Sequence, residues 1–218
     1  MTEITADLLL HAYSQGIFPM AESADSDEIF WVDPELRGIF PLEHFHVPNR
    51  LARKIRQQPF EIRIDTAFRE VMKACAETIP DTERDNTWIN DTILDRYCEL
   101  FRMGYAHSVE CWRDEKLVGG LYGVSIGGAF CGESMFHRET DASKVALVYL
   151  VARLKKAGYI LLDTQFITDH LEKFGAVEIP RMEYKARLAR ALDLEPDFYS
   201  LPADAAPETI LQLVTQIS

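Results

Sequence analysis

Alternation between apolar and polar residues indicates most of the strands that the sequence predicts. The segment FEIRIDTA alternates from Phe60 onwards, with the two-residue period of a strand that buries one face. Three further segments follow one another with short turns between them, namely HSVECW, LVGGLYGVS and AFCGESMF. This spacing predicts three antiparallel strands joined as hairpins. The short apolar runs YILLDTQF and VEI predict two more strands.

Apolar residues at three- and four-residue spacing predict the helices. The longest, SKVALVYLVARLKKAG, ends at Gly158, a residue type that commonly terminates helices. Another follows a cap at Asn90 or Asp91 and ends at Gly104, which are typical start and stop signals. Further helices are predicted over residues 5–15, 68–78 and 181–192, in the basic segment after Pro48, and in TDHLEKFG. The Pro- and Ala-rich tail after residue 192 is expected to be peripheral.

This order of elements predicts the fold class. A meander followed by helix, strand, helix and strand is an α/β (α+β) layout, with one mixed sheet and a later crossover strand. It is similar to the GNAT acyltransferase architecture, although HRETDASKVAL lacks the glycines that would hold the pyrophosphate of coenzyme A. We expect residues 39–218 to form a GNAT-like catalytic domain with flanking helices. Residues 1–38 are too few for a core of their own and are expected to form a small N-terminal domain.

Composition and charge narrow the class of protein. The 218 residues are 47% hydrophobic and carry a net charge of −12. No apolar run reaches the length of about 18 residues that a membrane span requires, and the N-terminus lacks a basic start typical of a secretory signal. The four cysteines are scattered and form no C-x-x-C pair. We therefore expect a cytoplasmic protein with reduced cysteines and without a membrane span. The acidic balance argues against general nucleic-acid binding, but Arg50, Arg53 and Lys54 share one face of a predicted helix and form a candidate phosphate site.

Two carboxylates lie inside apolar strands. Alternation in FCGESMF places Glu133 on one face with Cys131 and Met135. In LLDTQF, Asp163 and Gln165 share a face. A buried carboxylate needs a compensating charge or hydrogen bonds, so Glu133 either pairs with a buried Arg or Lys or belongs to a pocket for an ammonium group with an apolar side chain. Asp163 and Gln165 are either a satisfied polar pair at a strand end or groups that assist a proton transfer.

Other catalytic arrangements have weaker support. Ser134, Asp163 and His170 occur in the chain order of α/β-hydrolases, but Ser134 stands in GESM rather than in a G-x-S-x-G turn. His44 and His46 form an H-x-H pair without a third metal ligand at suitable spacing. We therefore expect no hydrolase triad and no metal site.

Nine segments together resemble the leucyl/phenylalanyl-tRNA–protein transferase family. They are LLLHAYSQGIFP, FWVDPELRGIF, NTWIND, GYAHSVECW, LVGGLYGV, FCGESMF, ASKVAL, LLDTQF and DHLEKFGAVEIPR, in the family's order over residues 5–190. The resemblance implies transfer of Leu, Phe and, less readily, Met from aminoacyl-tRNA to the α-amine of proteins that begin with Arg or Lys. This transfer marks those proteins for degradation. No cofactor or metal is implied, because an aminoacyl ester is already activated.

The resemblance also assigns residues to the donor site. It implies that Glu133 and Met135 belong to the pocket for the aminoacyl group, with Trp88 near the aminoacyl-adenosine. Met20 stands where longer members carry Trp, so it supplies apolar contact in place of aromatic stacking.

The resemblance assigns catalysis and tRNA binding to two further sets of residues. The resemblance implies that Asp163 and Gln165 assist peptide-bond formation, and that Arg50, Arg53 and Lys54 contact the acceptor stem of the tRNA. Two other functions stay open. One is a GNAT-type acyltransferase with a different acyl donor, and the other is a non-catalytic protein that recognises N-terminal Arg or Lys.

Overall fold

A computed structural model describes residues 4–24, 26, 28–78 and 87–216 of the chain. In these residues the helices are α1 (Ala6–Ser14), α2 (Asn49–Arg56), α3 (Phe68–Ala76), α4 (Asp91–Arg102), α5 (Ala142–Ala157), α6 (Asp169–Glu172), α7 (Arg181–Leu192) and α8 (Pro207–Thr215). The strands are β1 (Phe18–Ala21), β2 (Ile29–Val32), β3 (Leu36–Phe40), β4 (Glu61–Ile64), β5 (Ala106–Arg113), β6 (Lys116–Ile126), β7 (Ala129–His137), β8 (Leu161–Gln165) and β9 (Val177–Pro180). Each helix and strand that the sequence predicts is present.

A seven-stranded mixed sheet in the order β4-β5-β6-β7-β8-β3-β9 forms the centre of the molecule. Strands β5 to β7 are antiparallel neighbours, as the meander predicts, and β4 extends them as an antiparallel neighbour of β5. Strand β8 lies parallel to β7 and follows the α5 crossover. The mixed α/β class with flanking helices is therefore confirmed. No helix of the described segments is long and apolar enough to cross a bilayer.

The N-terminal part contributes α1 and the two-stranded β1–β2 sheet, and α1 packs against α4 and α7. Strand β3 continues directly into the large sheet, between β8 and β9. Because β3 spans residues on both sides of position 38, the sequence-based division at that residue stays a prediction.

Helix ends follow the local sequence signals. Asn90 caps α4, since its side-chain oxygen accepts a hydrogen bond from the N–H of Ile93 at 2.8 Å. Gly158 ends α5 with φ at 88°, a left-handed conformation that glycine adopts without steric penalty. Helix α5 is apolar on most of its surface because it lies between the sheet and α8.

The C-terminal tail is part of the core, so the expectation that it is peripheral is wrong. Phe198 and Leu201 are buried, and so are Ile210 and Val214 of α8, in the apolar cluster that contains α5. Phe198 stacks on the ring of His107, with centroids 3.9 Å apart. The Pro- and Ala-rich residues before α8 led to that expectation, whereas the apolar run ILQLV at residues 210–214 forms the buried face of the helix.

Candidate active site

One cavity of about 350 Å³ opens beside β7, β8 and α5. Its lining includes the six residues that the family resemblance assigns to the aminoacyl group and to catalysis, namely Met20, Trp88, Glu133, Met135, Asp163 and Gln165. Leu121 of β6 and Leu147 and Leu150 of α5 form its apolar side. The fold therefore brings together residues from β1, the segment before α4, β7 and β8.

Glu133 lies in a bulge of β7. The pairing of β6 with β7 shifts between Tyr122 and Gly123, so Glu133 has no partner in the register. One extra residue in a strand reverses the alternation beyond it. Cys131 consequently joins the apolar cluster of α3 and α4, whereas Met135 packs with the cluster of α5. The prediction that these two residues share a face is wrong, although Met135 still borders the cavity beside Glu133.

Tyrosine hydroxyls and an amide surround the Glu133 carboxyl. Tyr13 of α1 donates to Oε1 at 2.7 Å, and Tyr97 of α4 donates to Oε2 at 3.2 Å. The two phenol oxygens lie 2.5 Å apart. Among the described residues the buried arginine of this region, Arg37, pairs with Asp163 rather than with Glu133. The alternative of an internal Arg or Lys partner for Glu133 is therefore not the arrangement in the structure.

Burial favours the neutral form of Glu133. It raises the pKa of this carboxyl from 4.5 to about 8, and the negative charge of Asp163 acts in the same direction. The hydrogen bonds from Tyr13 and Tyr97 lower the pKa but do not offset the burial. A cation bound in the cavity would favour the carboxylate and lower this pKa.

Gln165 connects Glu133 to the adjacent strand. Its Nε2 donates to Oε1 of Glu133 at 3.2 Å, and its backbone N–H donates to Oδ1 of Asp163 at 2.8 Å. The φ angle of Gln165 is 57°, a left-handed conformation that is uncommon outside glycine. Five other described non-glycine residues also have positive φ, but Gln165 is the one of these residues that borders the cavity.

Asp163 borders the cavity, but its side chain is fully buried. Arg37 donates to Oδ1 from Nε at 2.8 Å and to Oδ2 from Nη2 at 2.6 Å, and the Tyr184 hydroxyl donates to Oδ2 at 2.8 Å. The guanidinium of Arg37 lies between the rings of Phe18 and Tyr184, 4.5 and 4.4 Å from their centroids. These donors and the backbone N–H of Gln165 occupy both oxygens of the carboxylate.

The hydrolase arrangement does not form. Ser134 and His170 both border the cavity, but the carboxylate of Asp163 is held by Arg37 and Tyr184 and has no hydrogen bond to a histidine of the described residues. Within residues 4–24, 26, 28–78 and 87–216, no group of three or more His, Cys, Asp or Glu side chains is placed to hold a metal ion.

The basic helix α2 lies outside the cavity lining. Arg50 and Arg53 are exposed. The Nζ of Lys54 donates to the carbonyl oxygen of Thr140 at 2.5 Å and to Oδ2 of Asp141 at 3.3 Å. Since Asp141 immediately precedes α5, the basic face is linked to the helix that forms one side of the cavity.

Sequence reasoning missed the residues that hold the two acids. Tyr13 and Tyr97 bind Glu133, and Arg37 binds Asp163. One signal was present, because Arg37 interrupts the otherwise apolar run LRGIF. Helical spacing places Tyr97 on the inner face of α4 with Ile93 and Leu100, but the partner of its hydroxyl cannot be read from that spacing.

Comparisons with known proteins identify the family of the chain. The family model described as Leucyl/phenylalanyl-tRNA protein transferase matches residues 39–189, and the model of the N-terminal domain of that family matches residues 2–35. A protein of Phenylobacterium zucineum (strain HLK1) named leucyl/phenylalanyl-tRNA–protein transferase is 57% identical over 223 residues, which cover 100% of both chains. A relative with the same name from Paramagnetospirillum magneticum (strain ATCC 700264 / AMB-1) is 60% identical over 192 residues, with 88% of this chain and 91% of the relative covered.

A solved structure of L-PGS from Bacillus licheniformis aligns with 95% of this chain and 69% of its own, at 11% identity and a TM-score of 0.39. The family assignment rests on the sequence matches, which span almost the whole chain at more than half identity. The chain belongs to the leucyl/phenylalanyl-tRNA–protein transferase family of aminoacyltransferases.

Proposed function

We propose that this protein transfers Leu and Phe, and Met less readily, from aminoacyl-tRNA to the N-terminal α-amine of proteins that begin with Arg or Lys. The added residue marks those proteins for degradation, and the reaction takes place in the cytoplasm. The observation that supports this most directly is the position of Glu133. Its carboxyl has no described cationic partner and lies at the polar side of a cavity whose other side is apolar.

The two sides of the cavity match the two parts of an esterified bulky amino acid. The carboxyl oxygens of Glu133 accept hydrogen bonds from the α-ammonium group of the aminoacyl ester. Leu121, Met135 and Leu147 contact its amino-acid side chain. An apolar pocket separates side chains that differ by one methylene by only about 1–3 kcal/mol. This weak discrimination is the reason to include Met among the donors and to expect β-branched Ile to be excluded by shape.

Peptide-bond formation from an ester requires positioning and a proton transfer. The acceptor amine attacks the ester carbonyl, the new C–N bond forms, the ester C–O bond breaks, and the proton of the amine ends on the released ribose oxygen. Correct positioning alone supplies about 7–11 kcal/mol of the barrier. We assign Gln165 to orient the acceptor amine through its side-chain carbonyl, with Asp163 as the positioning residue that holds Gln165.

Two charged regions support the choice of substrates. Arg50 and Arg53 are exposed on α2 and form no ion pair with a described residue, so they are free to bind phosphate. The net charge of −12 favours the approach of an acceptor whose α-amine and first side chain are both positive. We expect tRNA affinity to fall steeply as salt rises.

A transfer assay tests the proposal. The protein is incubated with radiolabelled Leu-tRNA and an acceptor that begins with Arg, and a matched acceptor that begins with Ala is the control. Label appears on the first acceptor only. E133Q and Q165A lower the rate, whereas E178Q, which removes an exposed acid on β9, leaves it unchanged. Binding of the Arg acceptor without transfer from either Leu-tRNA or Phe-tRNA would support the non-catalytic alternative, and transfer from an acyl-coenzyme A would support another acyl donor.

A further inference from the structure

The edge of the cavity carries basic side chains that the proposed reaction does not use. Lys144 lies in the first turn of α5, three residues before Leu147, which borders the cavity. Residues at this spacing share one face of a helix, so Lys144 lies on the cavity side of α5. His170 borders the cavity, and Lys173 is exposed at the end of the same short helix, α6. We call Lys144, His170 and Lys173 the rim cluster.

The rim cluster brings two ammonium groups and an imidazole to the cavity edge, in segments that also carry the acids Asp141, Asp169 and Glu172. Burial lowers the pKa of His170, and the nearby charges of Lys144 and Lys173 lower it further, against a smaller opposite effect of Asp141. Asp141 also pairs with two lysines at once, with Lys144 at 2.8 Å and with Lys54 at 3.3 Å. Asp141 is therefore shared between two ammonium groups, whereas Lys173 and His170 form no ion pair with a described residue and can bind an anion.

The rim cluster also continues a basic path that begins on α2. Lys54 of α2 contacts Thr140 and Asp141, and Asp141 contacts Lys144. The path thus runs from the proposed acceptor-stem surface to the mouth of the cavity that would hold the aminoacyl group. The single-stranded 3′ end of a tRNA must cover this same interval, and it carries one negative phosphate per nucleotide.

We propose that Lys144, His170 and Lys173 bind the phosphates of the single-stranded 3′ end of the donor, next to the nucleoside whose aminoacyl group enters the cavity. This inference rests on the proposed function and adds a second anchor for the donor beyond α2. Hydrogen bonds from ammonium and imidazole groups to phosphate are charge-assisted and stronger than neutral ones. The contacts position the ester and form no covalent bond.

The test compares two donors that differ in phosphate. One is Leu-tRNA, and the other is leucyl-adenosine, which has no phosphate. The measured quantity is kcat/KM for Leu-tRNA divided by kcat/KM for leucyl-adenosine. In K144Q and K173Q this ratio falls about tenfold, and the slope of log KM for the tRNA against log salt decreases by about 0.7 for each phosphate that the variant no longer binds. The control K156Q changes an exposed lysine of the same helix, about 18 Å along its axis from Lys144, and leaves both quantities unchanged.

Two measurements can overturn the inference. The first is the donor ratio: a ratio in K144Q equal to that of the wild type would contradict phosphate binding, and an equal loss of activity with both donors would mean that Lys144 shapes the cavity only. The second is direct binding of a 5′-phosphorylated CCA trinucleotide, measured by calorimetry on the full chain. We expect weaker binding by K144Q than by the wild type; equal binding, or displacement of the trinucleotide by inorganic phosphate at similar concentration, would contradict a nucleic-acid site. Failure of the wild type to use either donor refutes the proposed function instead, and the calorimetry still decides the phosphate site.

Discussion

Glu133 is expected to make the stability of the protein depend on pH. Its pKa rises from 4.5 to about 8 in the folded protein, so the folded state keeps a proton between these pH values that the unfolded state has lost. The contribution of Glu133 to the free energy of unfolding is therefore greatest below pH 4.5. It is lost as the pH rises from 4.5 through the folded pKa of about 8. The slope is at most about 1.4 kcal/mol per pH unit. Gln has nearly the shape of the neutral carboxyl and does not titrate, so E133Q removes this contribution.

Urea unfolding of wild type and E133Q between about pH 5.5 and 7.5 measures the effect. The free energy of unfolding of E133Q relative to wild type increases with pH, by about 2–3 kcal/mol across this range. Histidines and other acids titrate in both proteins and cancel in the difference. The exposed acid Glu178 provides the control: the free energy of unfolding of E178Q should change with pH as that of the wild type does. If the free energy of unfolding of E133Q also changed with pH as that of the wild type does, Glu133 would be ionised at neutral pH and the account of its burial would be refuted.

Three further substitutions test other parts of the structure. R37A leaves the carboxylate of Asp163 buried without its partner and lowers the free energy of unfolding by about 3–5 kcal/mol, measured with urea. L147F fills part of the cavity and excludes the larger side chain. The ratio of Phe transfer to Leu transfer falls about tenfold, measured by competition between the two charged tRNAs. F198A removes a buried ring from the C-terminal tail and costs about 3–5 kcal/mol of stability, measured by thermal unfolding.

Each of these results has a counterpart that would contradict it. A stability of R37A equal to that of wild type would mean that Asp163 is neutral or solvated. An unchanged Phe to Leu ratio in L147F would place the amino-acid side chain elsewhere. A mild effect of F198A, comparable to that of the exposed neighbour variant Y199A, would mean that the tail adds little to the core.

Periodicity predicted the elements well because most strands and helices of this chain bury one regular face. The meander β5–β7 and the α5 crossover follow from hydrophobic spacing and from Gly158. Periodicity did not predict the bulge at Glu133, because one extra residue in β7 changes which residues of β6 and β7 pair and leaves no mark on the composition of the strand. The face assigned to Cys131 relative to Met135 was wrong for that reason.

The chemistry of the site was predictable only in part. A charged residue inside an apolar strand identifies Glu133 and Asp163, and the family resemblance supplies their expected roles. Their partners come from remote segments, since Tyr13 lies 120 residues from Glu133 and Arg37 lies 126 residues from Asp163. No local pattern shows that Asp163 is enclosed by donors whereas Glu133 faces a cavity. Only the three-dimensional structure shows this difference, on which we base the proposal that Asp163 positions Gln165 and that Glu133 binds the substrate.

Burial of Phe198 and of α8 in the cluster around α5 makes the cavity depend on residues that do not border it. The described residues that border the cavity lie between positions 18 and 171. Phe198 nevertheless covers the ring of His107, and α8 packs on α5, the helix that forms the apolar side of the cavity. A substitution far from the donor pocket can therefore loosen the wall against which the amino-acid side chain would pack.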